Sequence, residues 1–166
     1  MERIPVSQGR AFAIVDDEDY ADLAQYRWYL VGFRGRYAGR SQILSDGRWT
    51  TVYMHRLVIK APNGVQVDHA NRDPLDNRRS NLRLCTQSLN NANAASWKLP
   101  ISGYRGVYFD PRPRKARPWR VEICVAGERR YRGRFCTPEE AARAYDAAAR
   151  EAYGEFATLN FPEAIV

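Results

Sequence analysis

Val67-Asp68-His69-Ala70-Asn71, with Asn81 and Asn90 downstream, is the stretch around which the chain organises itself. It sets a carboxylate, an imidazole and two carboxamides close together in sequence. Asp68 and Asn90 can offer oxygen to a hard cation, and His69 can take a proton from water. That is the minimal equipment for metal-assisted hydrolysis of a phosphodiester. Just upstream, Ala61-Pro62-Asn63-Gly64 reads as a turn, and residues 65–67 alternate as a strand leading into Asp68-His69. Residues 71–80 form a polar loop carrying the turn formers Asp73-Pro74 and Asp76-Asn77. Leu82-Arg83-Leu84-Cys85 alternates as a second strand, and Thr86 can cap a helix that starts at Gln87 and holds Asn90. Adjacent residues on a regular strand point to opposite faces. Asp68 and His69 therefore serve one site only if the strand ends or bulges there.

Working outward, residues 1–60 read as short strands. Ala11 to Val15 is a compact apolar run, and the acidic Asp16-Asp17-Glu18-Asp19 opens a solvated helix. Tyr26-Arg27-Trp28-Tyr29-Leu30 and Thr50-Thr51-Val52-Tyr53-Met54 are rich in aromatic and β-branched residues, with glycines punctuating the intervals. The chain has 166 residues, 45% of them hydrophobic and 12% aromatic, enough for one domain or two small ones with modest cores. No apolar run is long enough to cross a membrane, and residues 1–5 hold no signal-like apolar segment. The three cysteines, Cys85, Cys124 and Cys136, form no CxxC pair, which predicts reduced thiols and argues against a structural zinc site.

The net charge of +7 points to a polyanionic partner, and its placement sharpens that. Residues 105–134 carry ten basic side chains against three acidic ones, and nine of the ten are arginines. Arginine suits forked contacts with phosphates and guanine edges. Residues 104–109, 119–125 and 129–135 read as three strands. Thr137-Pro138-Glu139-Glu140 then starts a helix: Thr137 caps it, Pro138 takes the first helical position, and Glu140 completes a capping box. Gly154 ends that helix. Its many alanines allow a close approach to one face of the sheet, leaving the other to display arginines. Arg120 and Glu122 share one face, while Trp119, Val121 and Ile123 share the other. Periodicity leaves open whether Trp119 meets DNA or the core.

At these residues the chain resembles two families. Asp68-His69, Asn81 and Asn90, with Leu75-Asp76-Asn77 and Ser80-Asn81-Leu82, resemble the HNH endonuclease motif over residues 50–95. Tyr104-Arg105-Gly106-Val107, Ala141-Ala142-Arg143-Ala144-Tyr145-Asp146 and Leu159-Asn160-Phe161-Pro162 resemble an AP2 domain. The combination is similar to the HNH homing endonucleases of phages and mobile introns. The resemblance implies an α+β fold: a ββα-metal nuclease core with short N-terminal strands, plus a three-stranded antiparallel sheet packed on one helix. It implies a nuclease domain over 1–95, a linker at 96–102 and a DNA-binding domain over 103–162.

The same resemblance implies roles. His69 would be the general base, Asp68 and Asn90 the metal ligands, and Asn81 the group that orients His69 by hydrogen bonding. Many members have histidine where this chain has Asn90, a departure that favours a single oxygen-ligated Mg²⁺ or Mn²⁺. In the AP2-like part Arg105, Arg120, Arg129 and Tyr131 occupy or neighbour DNA-contacting positions, with Trp119, Arg130, Arg132 and Arg134 beside them. The insertion at 112–117 departs from the commonest spacing and leaves the register of Trp119 open. His55-Arg56 reads as structural, with an auxiliary role at the scissile phosphate as the alternative. Asn71, Asn77, Asn91 and Asn93 read as loop or helix-surface residues. The expected partner is double-stranded DNA, met by a monomer rather than a homodimer in the cytoplasm of a bacterial or phage-infected cell. The competing reading is a transcriptional regulator whose HNH part is a degenerate scaffold.

Overall fold

The computed structural model describes residues 1–33, 36–94, 99–112 and 116–162. Part of the expected linker and of the 112–117 insertion lies outside the described residues. The chain forms two compact units, Met1–Thr86 and Gln87–Val166. Both mix helix with small antiparallel sheets.

The first unit opens with a hairpin of β1 (Glu2–Val6) and β2 (Ala11–Val15). Alternation buries Ile4 and Val6 from one strand and Ala13 and Val15 from the other on a single face. Helix α1 (Asp17–Ala24) carries Asp17, Glu18 and Asp19 in its first turn, where the helix dipole favours acidic groups. Leu23 reaches the core, and its carbonyl accepts the Trp28 indole N–H at 2.8 Å. The indole is thereby buried with its one polar atom satisfied. A sheet in the order β3 (Tyr29–Val31), β4 (Tyr37–Ile43), β5 (Trp49–Tyr53) follows. The short helix α2 (Met54–Val58) comes next, and then the hairpin of β6 (Gln66–His69) and β7 (Leu82–Cys85). Met54, Val58, Val67 and Leu82 join the first hairpin in one apolar core. Each fully buried side chain of this size contributes about 1.5–3 kcal/mol.

The second unit starts with α3 (Gln87–Asn93), which the sequence pattern grouped with the nuclease motif. Contacts within the unit explain its placement. The Arg105 guanidinium donates to the carbonyls of Ala94 at 2.9 Å and Asn91 at 3.3 Å, and Thr158 Oγ1 donates to that of Asn93 at 3.2 Å. Strands β8 (Val107–Phe109), β9 (Trp119–Val125) and β10 (Glu128–Phe135) form an antiparallel sheet with β9 in the middle. Helix α4 (Pro138–Tyr153) packs on it through Ala141, Ala142, Ala148 and Ala149, opposite Val107, Val121 and Ile123. Thr137 Oγ1 accepts the Glu140 N–H at 3.2 Å, while the Glu140 carboxylate reaches back to the Cys136 N–H at 3.2 Å.

The three short motifs of this unit meet at one buried carboxylate. Asp146 Oδ1 accepts the Asn160 N–H at 2.8 Å, and its Oδ2 accepts the Phe161 N–H at 2.8 Å. Asn160 in turn accepts the Arg105 N–H at 2.7 Å and donates to the Arg105 carbonyl at 3.2 Å. Helix, tail and the segment leading into β8 are therefore laced by the side chains of Asp146 and Asn160 through bonds to backbone groups.

Candidate active site

Strand β6 runs through Asp68 and His69 without a bulge, pairing Asp68 with Arg83 and His69 with Leu82 on β7. The two side chains consequently leave the strand on opposite faces. The Asp68 carboxylate is buried and meets Arg83, whose Nε donates to Oδ2 at 3.2 Å and whose Nη2 donates to the same oxygen. A buried carboxylate needs such a partner, because an unpaired charge there would cost several kcal/mol, on the order of 3–5. His69 is the last residue of β6, so the two groups flank the end of a strand.

The His69 ring enters an aromatic box. Its centroid lies 5.2 Å from that of His55, edge to face, and 6.1 Å from that of Tyr37. Tyr37 and Tyr53 stand 5.3 Å and 5.5 Å from His55. Burial pulls the His69 pKa below its ordinary value, outweighing the nearby Asn77 carboxamide and Asp68, Asp73 and Asp76, which favour the charged form. His69 is thus a neutral imidazole at cellular pH, the form a general base requires. His55 is driven further, down to about 3, by burial first and then by His69 and Arg56. Its Nδ1 is enclosed with no hydrogen-bond partner among the described residues. Arg56 is a structural staple: Nη1 donates to the Val65 carbonyl at 2.6 Å and Nη2 to that of Pro62 at 2.7 Å.

Asn81 secures the turn that follows His69. Its Oδ1 accepts the Asn71 N–H at 3.0 Å, and its Nδ2 donates to Asn71 Oδ1 at 3.0 Å and to the Asp76 carbonyl at 2.8 Å. Its backbone carbonyl accepts the Ala70 N–H at 2.9 Å. The carboxamide beside the imidazole belongs instead to Asn77, which is wholly buried. Asn77 and Asn93 are buried, in contrast to the loop or helix-surface role their polar neighbourhood predicts. A run of Asp and Asn looks solvated in sequence, which shows neither the bridge of this loop to β2 nor the His69 ring beside Asn77.

Asn90 lies on α3 and belongs with the second unit. Among the described residues no group of three or more His, Cys, Asp or Glu side chains gathers as a ready cation cage. The expected donors, a carboxylate and a carboxamide oxygen, are nonetheless hard ligands of the kind Mg²⁺ and Mn²⁺ accept with waters completing the shell. In chemical type they fit. Arg83 shares the Asp68 carboxylate, so a cation held by Asp68 would compete with that guanidinium for its oxygens.

The outer face of the second unit's sheet follows from register. Arg120, Glu122 and Cys124 on β9 pair with Arg134, Tyr131 and Arg129 on β10, and Tyr108 pairs with Arg120 from β8. Arg129, Arg130 and Tyr131 are exposed. Arg132 is also exposed and is the extra residue of a bulge between Tyr131 and Gly133. Arg120 pairs with Glu122 at 3.0 Å, and its guanidinium stands over the Tyr108 ring at 5.5 Å. Three further arginines are held within the unit by hydrogen bonds. Arg105 holds α3, while Arg112 and Arg134 both bind Asp110 and hold its carboxyl far below the usual carboxylate range. Trp119 lies on the side of Val121 and Ile123, its ring 5.1 Å from that of Phe109.

Comparison with known proteins agrees with the geometry of the first unit. A family described as HNH endonuclease matches residues 52–92, from β5 into α3. An uncharacterized HNH endonuclease of Acanthamoeba polyphaga mimivirus is 30% identical over 154 residues, covering 90% of this chain and 74% of the viral protein. With its paired strands, its terminal histidine and its asparagine-stapled loop, the chain belongs to the HNH endonuclease family.

Proposed function

We propose that this nuclease works as a homing-type enzyme, cutting at the end of β6 while the second unit holds the duplex as an AP2-like module. HNH endonucleases hydrolyse phosphodiester bonds in DNA and use a divalent metal, and that much comes with family membership. The observation that carries the residue assignment is His69: a buried, neutral imidazole at a strand end, one residue from a buried carboxylate. In this reading His69 takes the proton from the attacking water. Asp68 and Asn90 hold a single Mg²⁺ or Mn²⁺, a role that rests on the HNH pattern and their oxygen donors. When bound, the cation supplies charge to the phosphate and to the departing oxygen. Asn81 keeps the turn after His69 in place. The outer face of β9 and β10 presents Arg120, Arg129 and Tyr131 to the duplex, and Arg130 and Arg132 line the exposed edge strand β10. One such site per chain suits a monomer that nicks a single strand.

A supercoiled plasmid incubated with Mg²⁺ tests the assignment. His69→Ala should slow nicking by about 10²–10⁴-fold, the usual worth of a positioned base, while DNA binding persists. Equal nicking by the variant would remove His69 from the chemistry. Absence of Mg²⁺-dependent nicking by the wild type, with binding intact, would favour a DNA-binding regulator instead.

A further inference from the structure

The loop that carries Asn77 is held from outside the matched HNH segment. Ile14 on β2 donates its N–H to the Leu75 carbonyl at 2.8 Å and accepts the Asn77 N–H at 2.8 Å, an isolated parallel bridge. Within the loop, Asn71 Nδ2 donates to Asp76 Oδ2 at 2.8 Å and Asp73 Oδ1 accepts the Leu75 N–H at 3.0 Å. These bonds leave the backbone at Asn77 little freedom. Its side-chain orientation is fixed as well, because Nδ2 donates to the Leu75 carbonyl at 3.1 Å. The opposite atom, Oδ1, is enclosed without a well-formed hydrogen bond among the described residues, and the carboxamide lies beside the His69 imidazole. A buried acceptor left unmatched costs about 1–3 kcal/mol, so a fold that spends five bonds on holding one in place uses it for something.

We propose that Asn77 is the positioning residue for His69: its Oδ1 accepts the N–H of one ring nitrogen, fixing the tautomer and the ring plane of the base. The hairpin β1–β2, which lies before the matched residues 52–92, then belongs to the catalytic apparatus, because Ile14 sets where Asn77 stands. A second group that orients a histidine in this way commonly contributes about 10–100-fold to activity. The inference rests on His69 as the base, yet it can be read without cleavage.

The chain has only two histidines, so long-range ¹H–¹⁵N spectra of the labelled full-length protein resolve both rings. Near neutral pH the His69 ring should show a single neutral tautomer in the wild type. Asn77→Ala should convert it to a mixture while leaving the His55 pattern unchanged. In nicking assays the same variant should lower kcat about 10–100-fold with KM for plasmid unaltered. A mixture of His69 tautomers in the wild type would overturn the proposal, and that spectrum decides even if the variant does not fold. An unchanged His69 spectrum in a folded variant, or a rise in KM with kcat intact, would overturn it equally. A His69→Ala enzyme that still nicks would sink the base assignment and leave the tautomer result standing.

Discussion

His55 sits in a place where an imidazole can hardly carry charge. It is buried in the first turn of α2 between Tyr37, Tyr53 and His69, with a pKa lowered from 6.5 to about 3. The unfolded chain, whose histidine titrates near the ordinary value, therefore binds the proton first. Stability from this group is fully present above the unfolded pKa and is lost progressively as pH falls from 6.5 toward 3. Lowered carboxylates such as Asp76, held down chiefly by Arg78, also lose stability in acid, so the wild-type slope alone does not isolate His55. The difference from His55→Phe does. Denaturant midpoints measured at several pH values from neutral to about 4.5 should fall less steeply for the variant. Parallel slopes for the two proteins would show that His55 is not a buried neutral group. The same neutrality matters for the site, because a charged His55 would oppose protonation of His69 during the reaction.

Elements in this molecule are fixed by a few close approaches, and Gly106 is the tightest. It enters β8 with φ of +73°, and an added Cβ would lie 2.1 Å from the Tyr145 ring and 2.8 Å from the Glu122 carbonyl oxygen. That carbonyl belongs to the residue whose N–H donates to Gly106 O at 2.9 Å, so relief would break the β8–β9 junction. Gly106→Ala combines a left-handed backbone with a clash against backbone and α4, and should cost about 2–4 kcal/mol. A thermal midpoint within a degree or so of wild type would refute this account of the strand. Such elements were legible in sequence where the signal is local. Thr137-Pro138-Glu139-Glu140 marks the start of α4, and the alternation of residues 119–125 marks β9. What the sequence hid depends on distant chain. Whether β6 ends before or after His69 is set by pairing with β7, and Asn77 is buried because Ile14 bridges to its loop. Arg105 reads as one more arginine of a basic run, yet its guanidinium is claimed by carbonyls at the end of α3.

For the whole molecule, the net charge of +7 describes attraction to DNA, but the number of ion pairs formed on binding depends on which arginines are available. Residues 105–134 contain ten basic groups, and the structure divides them. Arg105, Arg112 and Arg134 are bound to groups of their own unit, whereas Arg129, Arg130 and Arg132 are exposed along β10 and Arg120 stands half-buried on the outer face. Arg130 and Arg132 face acidic neighbours only at 3.8 Å and 4.0 Å, and pairs that long and exposed yield readily to phosphate. If the duplex lies on this sheet, about four phosphate contacts are expected, from Arg120 and Arg129 on the outer face and from Arg130 and Arg132 along the exposed edge strand β10, which predicts a slope of log K against log salt of roughly −4, at about −0.9 per neutralised phosphate. Ten contacts would give a slope near −9 by the same rule. Arg129→Ala should make the slope shallower by about one and weaken binding similarly across sequences. Arg105→Ala should leave the slope alone and act through the anchoring of α3. Binding measured by titration at several salt concentrations separates these cases. A flat response would mean that the β8–β10 face does not carry the duplex, and an Arg105 variant that lost a unit of slope would return that residue to the DNA-contacting set.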